Sequence, residues 1–204
     1  MKREDIIQRI IEEKGVNAIP VLINLMEDSD PETYEIITDI IDILGSDAKK
    51  YLFNEFIKRF EKNYFDDVVM LYLIDVLSNL ECKEIIPYLE RMLNMYSDER
   101  AFPLIIEALL RLTKDEKYID ILATFLDDTG DLQELAIMAI SELPTKKSIK
   151  YLLDKYISNI SKSEKALILD SIQKLLFKNR ELMNEVKNHP AGDEISEMLE
   201  WMLK

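Results

Sequence analysis

Apolar residues recur along this chain at helical spacing, and they recur in blocks. Ile36, Ile37, Ile40, Ile41 and Leu44 follow the i, i+1, i+4, i+5, i+8 rhythm of one buried helix face. The rhythm returns at Leu73, Val76, Leu77 and Leu80, at Ile105, Ala108, Leu109 and Leu112, and at Ala136, Ala139, Ile140 and Leu143. A fifth block is Ile168, Ser171, Ile172 and Leu175. The closing leucines of these blocks are 36, 32, 31 and 32 residues apart. A second phrase is interleaved with the first: Asn-Ala-Ile-Pro-Val-Leu over 17–22, Asp-Ala-Lys-Lys-Tyr-Leu over 47–52, and looser copies that close at Leu89, Leu122 and Leu152. Its closing leucines are 30, 37, 33 and 30 residues apart. A period in this range marks an array of stacked supersecondary units. The unit is helix A, a short turn, and helix B. The pattern predicts an all-α chain of about six such pairs plus a C-terminal capping helix.

Local signals set the boundaries. Asp30-Pro31-Glu32 supplies an N-cap, a proline at the first helical position and an acid where the helix dipole favours one. Asp98-Glu99, Gly130-Asp131 and Ser163-Glu164 are expected to open later A helices in the same way. Gly45 reads as a C-cap, and Leu143-Pro144-Thr145 stops one helix and admits the next. The turn 189–193 precedes a final short helix. The longest spacer, Glu61 to Asp67, is expected to extend a B helix. With no linker-like stretch, residues 1–204 are expected to form a single domain.

Composition narrows the picture. Only four glycines and six prolines occur in 204 residues, which argues against a turn-rich β fold. The net charge of −14 works against nucleic acid, whose affinity rests on Lys and Arg neutralising phosphates. No apolar run is long enough for a signal peptide or a membrane span, so a cytoplasmic protein with no membrane partner is expected. The charge is uneven. Residues 1–45 carry eleven acids and four bases, residues 64–81 four acids and no base, and residues 144–178 eight bases and three acids. The A-helix side is therefore mainly acidic, and parts of the B-helix side are neutral to basic.

The phrase Ala18-Ile19-Pro20-Val21-Leu22-Ile23-Asn24-Leu25-Met26 resembles the opening of the second helix of HEAT repeats, and Ile86-Pro87-Tyr88-Leu89 is similar. Ile43-Leu44-Gly45 resembles the end of that family's first helix. The resemblance extends over nearly the whole chain and implies an α-α superhelix, a HEAT-like solenoid. The family's Val-Arg pair early in helix A is missing from every copy, so the arginine-based polar ladder that it makes is not expected here. Some HEAT-like proteins are hydroxylases built on His-Glu pairs, others are glycosylases with a basic channel, and others are lyases acting on bilins. This chain has no His-Glu pair and no basic channel composition, and nothing in it marks a chromophore site.

Candidate chemistry is sparse. His189 is the only histidine, placed before Pro190 in a turn and expected to be a solvated loop residue. Cys82 is the only cysteine, expected to be a small buried thiol, and no intramolecular disulfide is possible. Asp66-Asp67 and Asp127-Asp128 are acidic pairs at helix ends without the spaced oxygen ligands of a calcium loop. No glycine-rich phosphate loop occurs. No catalytic residue, metal site or cofactor is expected.

The recurring phrase does nominate a surface. Its Ala, Ile and Leu positions face the core, so the residue before each closing leucine sits at the edge: Val21, Tyr51, Tyr88, Ile121 and Tyr151. One and two turns on lie Asn24 and Asp28, Asn54 and Lys58, Arg91 and Met95, Thr124 and Asp128, Asp154 and Ser158. By the resemblance, B helices form the concave side. The expected groove is Tyr51, Asn54, Lys58, Tyr88, Arg91, Met95, Ile121, Thr124, Tyr151 and Asp154, residue types that serve protein interfaces. The leading expectation is a non-enzymatic scaffold or adaptor for a protein partner, monomeric or weakly self-associating, with Trp201 as a possible end anchor. The alternative is a lyase-like or protein-modification enzyme subunit with a site between repeats.

Overall fold

The computed structural model describes residues 3–62, 68–95, 99–158 and 160–200. Among these, every regular element is helical. They fall into two compact units, residues 1–98 and residues 99–204. The expected helix extension beyond Glu61, the Asp66-Asp67 pair and Trp201 lie outside the described residues.

Unit 1 holds α1 (Arg3–Lys14), α2 (Ile19–Leu25), α3 (Pro31–Leu44), α4 (Lys49–Glu61), α5 (Val68–Asn79) and α6 (Ile86–Met92). A 3-10 turn leads into each of α2, α4 and α6. Pro20 and Pro87 occupy the first turns of α2 and α6, where the missing N–H would have had no helical partner. Asp30 caps α3 by accepting a hydrogen bond from the Thr33 amide at 2.8 Å. α1 packs on α3, α2 on α4, and α4 on α5. α3 also meets α5 through Tyr34 and Tyr72, and α6 meets α4 through Tyr88 against Phe56 and Phe60. Ile19, Ile23, Ile40, Leu52, Phe56 and Leu73 are sealed from solvent at the centre.

Unit 2 holds α7 (Ala101–Thr113), α8 (Lys117–Ala123), α9 (Asp131–Ile140), α10 (Lys146–Tyr156), α11 (Lys162–Lys178), α12 (Met183–Lys187) and α13 (Gly192–Glu200). α7 packs on α9 and α9 on α11, while α10 packs on α8 and α12. The core leucines and isoleucines of the recurring patterns, such as Leu109, Leu122, Ile140, Leu152 and Ile172, are fully buried. One boundary differs from expectation. The cap of α11 is Ser161, not Ser163: the Glu164 amide donates to the Ser161 hydroxyl while the Glu164 carboxylate accepts from the Ser161 amide. Both serines precede Glu164, but only Ser161 stands three residues before it, as a capping box requires. The start of α7 also differs. The helix begins at Ala101, and Asp98 lies outside the described residues.

At the turn from helix A to helix B a positive φ recurs in more than one residue type. Gly45 takes it at φ 50°, and Glu81 and Lys114 take it at φ 54° and 57°. Left-handed backbone costs a residue with a Cβ about 1–2 kcal/mol, so packing of the flanking helices holds these two turns against local strain.

Polar pairs link residues about one period apart within each unit. Arg3 holds Glu35 and Asp39 at 2.7 and 2.6 Å, and Arg59 holds Glu27. In unit 2, Lys147 reaches Asp120 at 2.9 Å, Lys155 reaches Asp127 at 3.3 Å, and Lys146 reaches Glu185 at 2.7 Å. Polar links of this kind therefore exist without the Val-Arg pair, the named ones carried by arginines in unit 1 and by lysines in unit 2. The exposed pairs among them contribute about 0–1 kcal/mol each, whereas the Arg59 guanidinium is buried and its pairing offsets the cost of placing a charge there.

Candidate functional site

The residues nominated by the sequence divide by unit. On α4 and α6, Tyr51 is half-buried, and Asn54, Lys58 and Arg91 are exposed. Lys58 is held at 2.5 Å by Glu55, a buried acid on the same helix. Tyr88 is half-buried and set edge-on to both Phe56 and Phe60, with ring centroids 5.8 and 5.0 Å away. Arg91 lies over the Phe60 ring at 4.9 Å, so its guanidinium is exposed yet held on an aromatic surface. Met95 follows α6 in a turn and is 40% exposed. These side chains give unit 1 an amphipathic face of aromatic, cationic and thioether groups.

In unit 2 the nominated residues are mostly committed to their own neighbours. Tyr151 donates its hydroxyl proton to Asp120 at 3.0 Å, Thr124 donates to the Ile121 carbonyl at 2.7 Å, and Asp154 lies 3.3 Å from the His189 ring. Ile121 alone stands out, at 39% exposure. The ten residues thus do not share one character.

Two expectations about single residues resolve differently. His189 is not a solvated loop residue: its side chain is only 11% exposed, and its Nδ1 accepts from the Ala191 amide. Cys82 is buried as expected. Burial pushes its thiol up to about 11, reinforced by the hydrogen bond it donates to Glu84 at 3.4 Å. A thiol held that high carries almost no thiolate at neutral pH, which makes it a poor nucleophile.

A second surface was not nominated by the sequence. Between α3 and α5 a cleft of about 350 Å³ is walled by Thr38, Asp42, Tyr72, Asp75 and Asn79, with Gly45 at its edge. Tyr34 and Tyr72 meet edge to face at 5.6 Å and 71°. The Tyr72 hydroxyl oxygen is buried and has no hydrogen-bond partner among the described residues. Burial, with repulsion from Asp42, Tyr34 and Asp75, raises its pKa above the ordinary tyrosine value. The Asp42 carboxyl is also raised, by partial burial and by the charges of Asp39 and Asp75. No lysine or arginine is among the residues lining the cleft. The sequence held one trace of this site, the absence of any base across 64–81. What it hid was the approach of Tyr72 to Asp42, thirty residues away.

Among the described residues, no group of three or more His, Cys, Asp or Glu is arranged to hold a metal ion, and no helix is long and apolar enough to cross a membrane. No family model, curated protein or solved structure matches the chain.

Proposed function

We infer that the chain is a HEAT-like α-solenoid that serves as a non-enzymatic protein-binding scaffold, with the α4–α6 face of unit 1 as its docking surface. The fold part of this reading is supported by nearest-neighbour packing within each unit, where helices of like type contact one period on. That is the one-dimensional logic of repeat proteins. The functional part is carried by one observation: the exposed Arg91 is already ordered over Phe60, beside Tyr88. Arginine and tyrosine supply much of the binding energy at protein interfaces, and an ordered arginine loses less freedom when a partner arrives. Tyr51 and Met95 extend the same chemistry at its margins. The partner is a protein segment, and the reading needs no cofactor.

The test is affinity capture from the source cell with variants as controls. Tyr88→Ala is a poor probe, because its ring packs on Phe56 and Phe60 and its loss weakens the fold as well as the surface. Arg91→Ala combined with Met95→Ala removes exposed groups only. Loss of the wild-type partners with an unaltered melting curve is the expected outcome, at about 2–4 kcal/mol of binding. Identical capture by the double variant would contradict the docking role of this face.

A further inference from the structure

The outer face of α11 carries a large apolar side chain that its own unit leaves in water. Phe177 is 80% exposed, the highest value among the exposed large hydrophobic residues. Ile168, Ile172, Leu175 and Leu176 turn the opposite face of the helix into the core. The outer stripe runs Ala166, Asp170, Lys174 and Phe177, spaced by three or four residues and all exposed. Single exposed apolar residues are ordinary. An aromatic ring is a larger case, because its burial is among the strongest single contributions to an interface. This ring also shares its stripe with one acid, one base and one small residue. A recess of about 370 Å³ between Asp170 and Phe177 leaves room for the side chains of a second helix.

The stripe is complementary to itself. Two α11 helices laid antiparallel, with a two-fold axis near residues 171–172, place each Phe177 over Ala166 and the half-buried Leu167 of the other copy. The same rotation sets Asp170 of each copy against Lys174 of the other, so every contact is made twice. A parallel pair would oppose Asp170 to Asp170 and Lys174 to Lys174, which like charge disfavours. Lys174 already donates to Glu142. Its ammonium has three donors and its side chain is 45% exposed, so it can take a second carboxylate. Lys178 comes near Lys165 in this register. The first is held by Glu142 at 3.3 Å and the second lies over the Tyr156 ring at 4.7 Å, so neither has to enter the contact. We propose that the outer face of α11 is a homodimer surface, on which a second copy of this chain packs antiparallel through Phe177, Asp170 and Lys174. The 17 residues of α11 make it about 25 Å long, and one helix pair of that length buries less than the roughly 1,600 Å² of a standard interface. The dimer is therefore weak and reversible. It uses no residue of the α4–α6 face and stands whether or not that face binds a partner.

The test is sedimentation equilibrium of the full chain from micromolar to millimolar concentration. The expected result is a reversible monomer–dimer equilibrium. Phe177→Ser should weaken it at least about tenfold, the usual scale for loss of a central aromatic anchor. Asp170→Lys, which sets like charges opposite each other, should weaken it further than added salt weakens the parent. Both positions are exposed, so neither change removes a core side chain. Val21→Ser, which removes a 61% exposed apolar residue from unit 1, should leave the equilibrium unchanged and so separates the α11 contact from general stickiness. Orientation is read by cysteine cross-linking, since Cys82, the native thiol, is buried. Gln173→Cys, beside the axis, should form a disulfide-linked dimer on mild oxidation. Ser163→Cys should not, because antiparallel packing holds its two copies roughly 25 Å apart along the helices. A chain that stays monomeric at millimolar concentration, a dimer indifferent to Phe177→Ser, or equal cross-linking through both cysteines would overturn the proposal.

Discussion

Asp42, on the last turn of α3 in unit 1, and Glu142, in the turn just after α9 in unit 2, meet opposite environments. Burial alone would raise the Glu142 pKa. The hydrogen bond from Lys174, with the charges of Lys178, Lys174 and Arg111, outweighs it and holds the carboxyl below the usual glutamate range. Lys178 closes on it at 3.3 Å and Arg111 stands at 3.8 Å. Asp42 is raised, first by partial burial and then by its acid neighbours Asp39 and Asp75. One carboxylate is held by cations of its own unit, and the other is raised by burial and like charge. A repeat fixes where an acid sits on its helix. The neighbouring helix decides whether that acid holds the fold together or presents a charge.

The largest effect should come from the satisfied acid. Glu142→Gln leaves Lys174, Lys178 and Arg111 facing one another, with a cost of about 1–3 kcal/mol in chemical denaturation at neutral pH. A lowered pKa means the carboxylate's contribution is complete above the unfolded glutamate value of about 4.3 and fades as pH falls through the folded value. The variant and the parent should therefore converge in stability once pH has fallen below that folded value. A difference that persists there would mean that Glu142 acts through packing rather than charge.

The open cleft should respond in the opposite sense. Tyr72→Phe removes a buried hydroxyl that has no partner among the described residues, and the protein should gain about 1 kcal/mol. A loss of stability would mean that the hydroxyl is already paired and would sharply reduce the contrast between the units. The strained turns supply a control that takes no account of charge. Glu81→Gly in unit 1 and Lys114→Gly in unit 2 should each stabilise by about 0.5–1 kcal/mol, because both residues hold φ near 55° without the freedom of glycine. Asp42→Asn should have the smallest effect, a slight rise in melting temperature at pH 7. The raised folded pKa makes the ionised form unfavourable. That penalty is absent below about pH 4 and complete once pH exceeds the folded value, so the rise should disappear in acid.

The recurrence of Ile and Leu at helical spacing made the A and B helices legible from the residues alone. The Ala-Ile-Pro phrase located the first turns of α2 and α6, because proline in a first helical turn has a local cause. Asp30, Gly45 and Thr145 were legible as caps for the same reason. What could not be read depends on partners far along the chain. His189 looked solvated because its partner Asp154 is 35 residues away. The left-handed turns at Glu81 and Lys114 were hidden because neither residue type favours that backbone. Tyr51, Tyr88 and Tyr151 are half-buried, and what each one meets depended on the next helix: Tyr151 found Asp120, and Tyr88 found Phe56 and Phe60. The α3–α5 cleft was illegible because α3 supplies Asp42 and α5 supplies Tyr72 and Asp75, and each helix alone reads as an ordinary amphipathic element.

The most direct test of the contrast is a carbon-detected NMR titration of the Asp42 and Glu142 carboxyl groups in one sample. The account requires Asp42 to titrate above the ordinary aspartate value of about 3.9 and Glu142 below the ordinary glutamate value of about 4.3. An Asp42 that titrates at or below the ordinary aspartate value would show that burial and like charge do not govern it, and would contradict the contrast between the two acids.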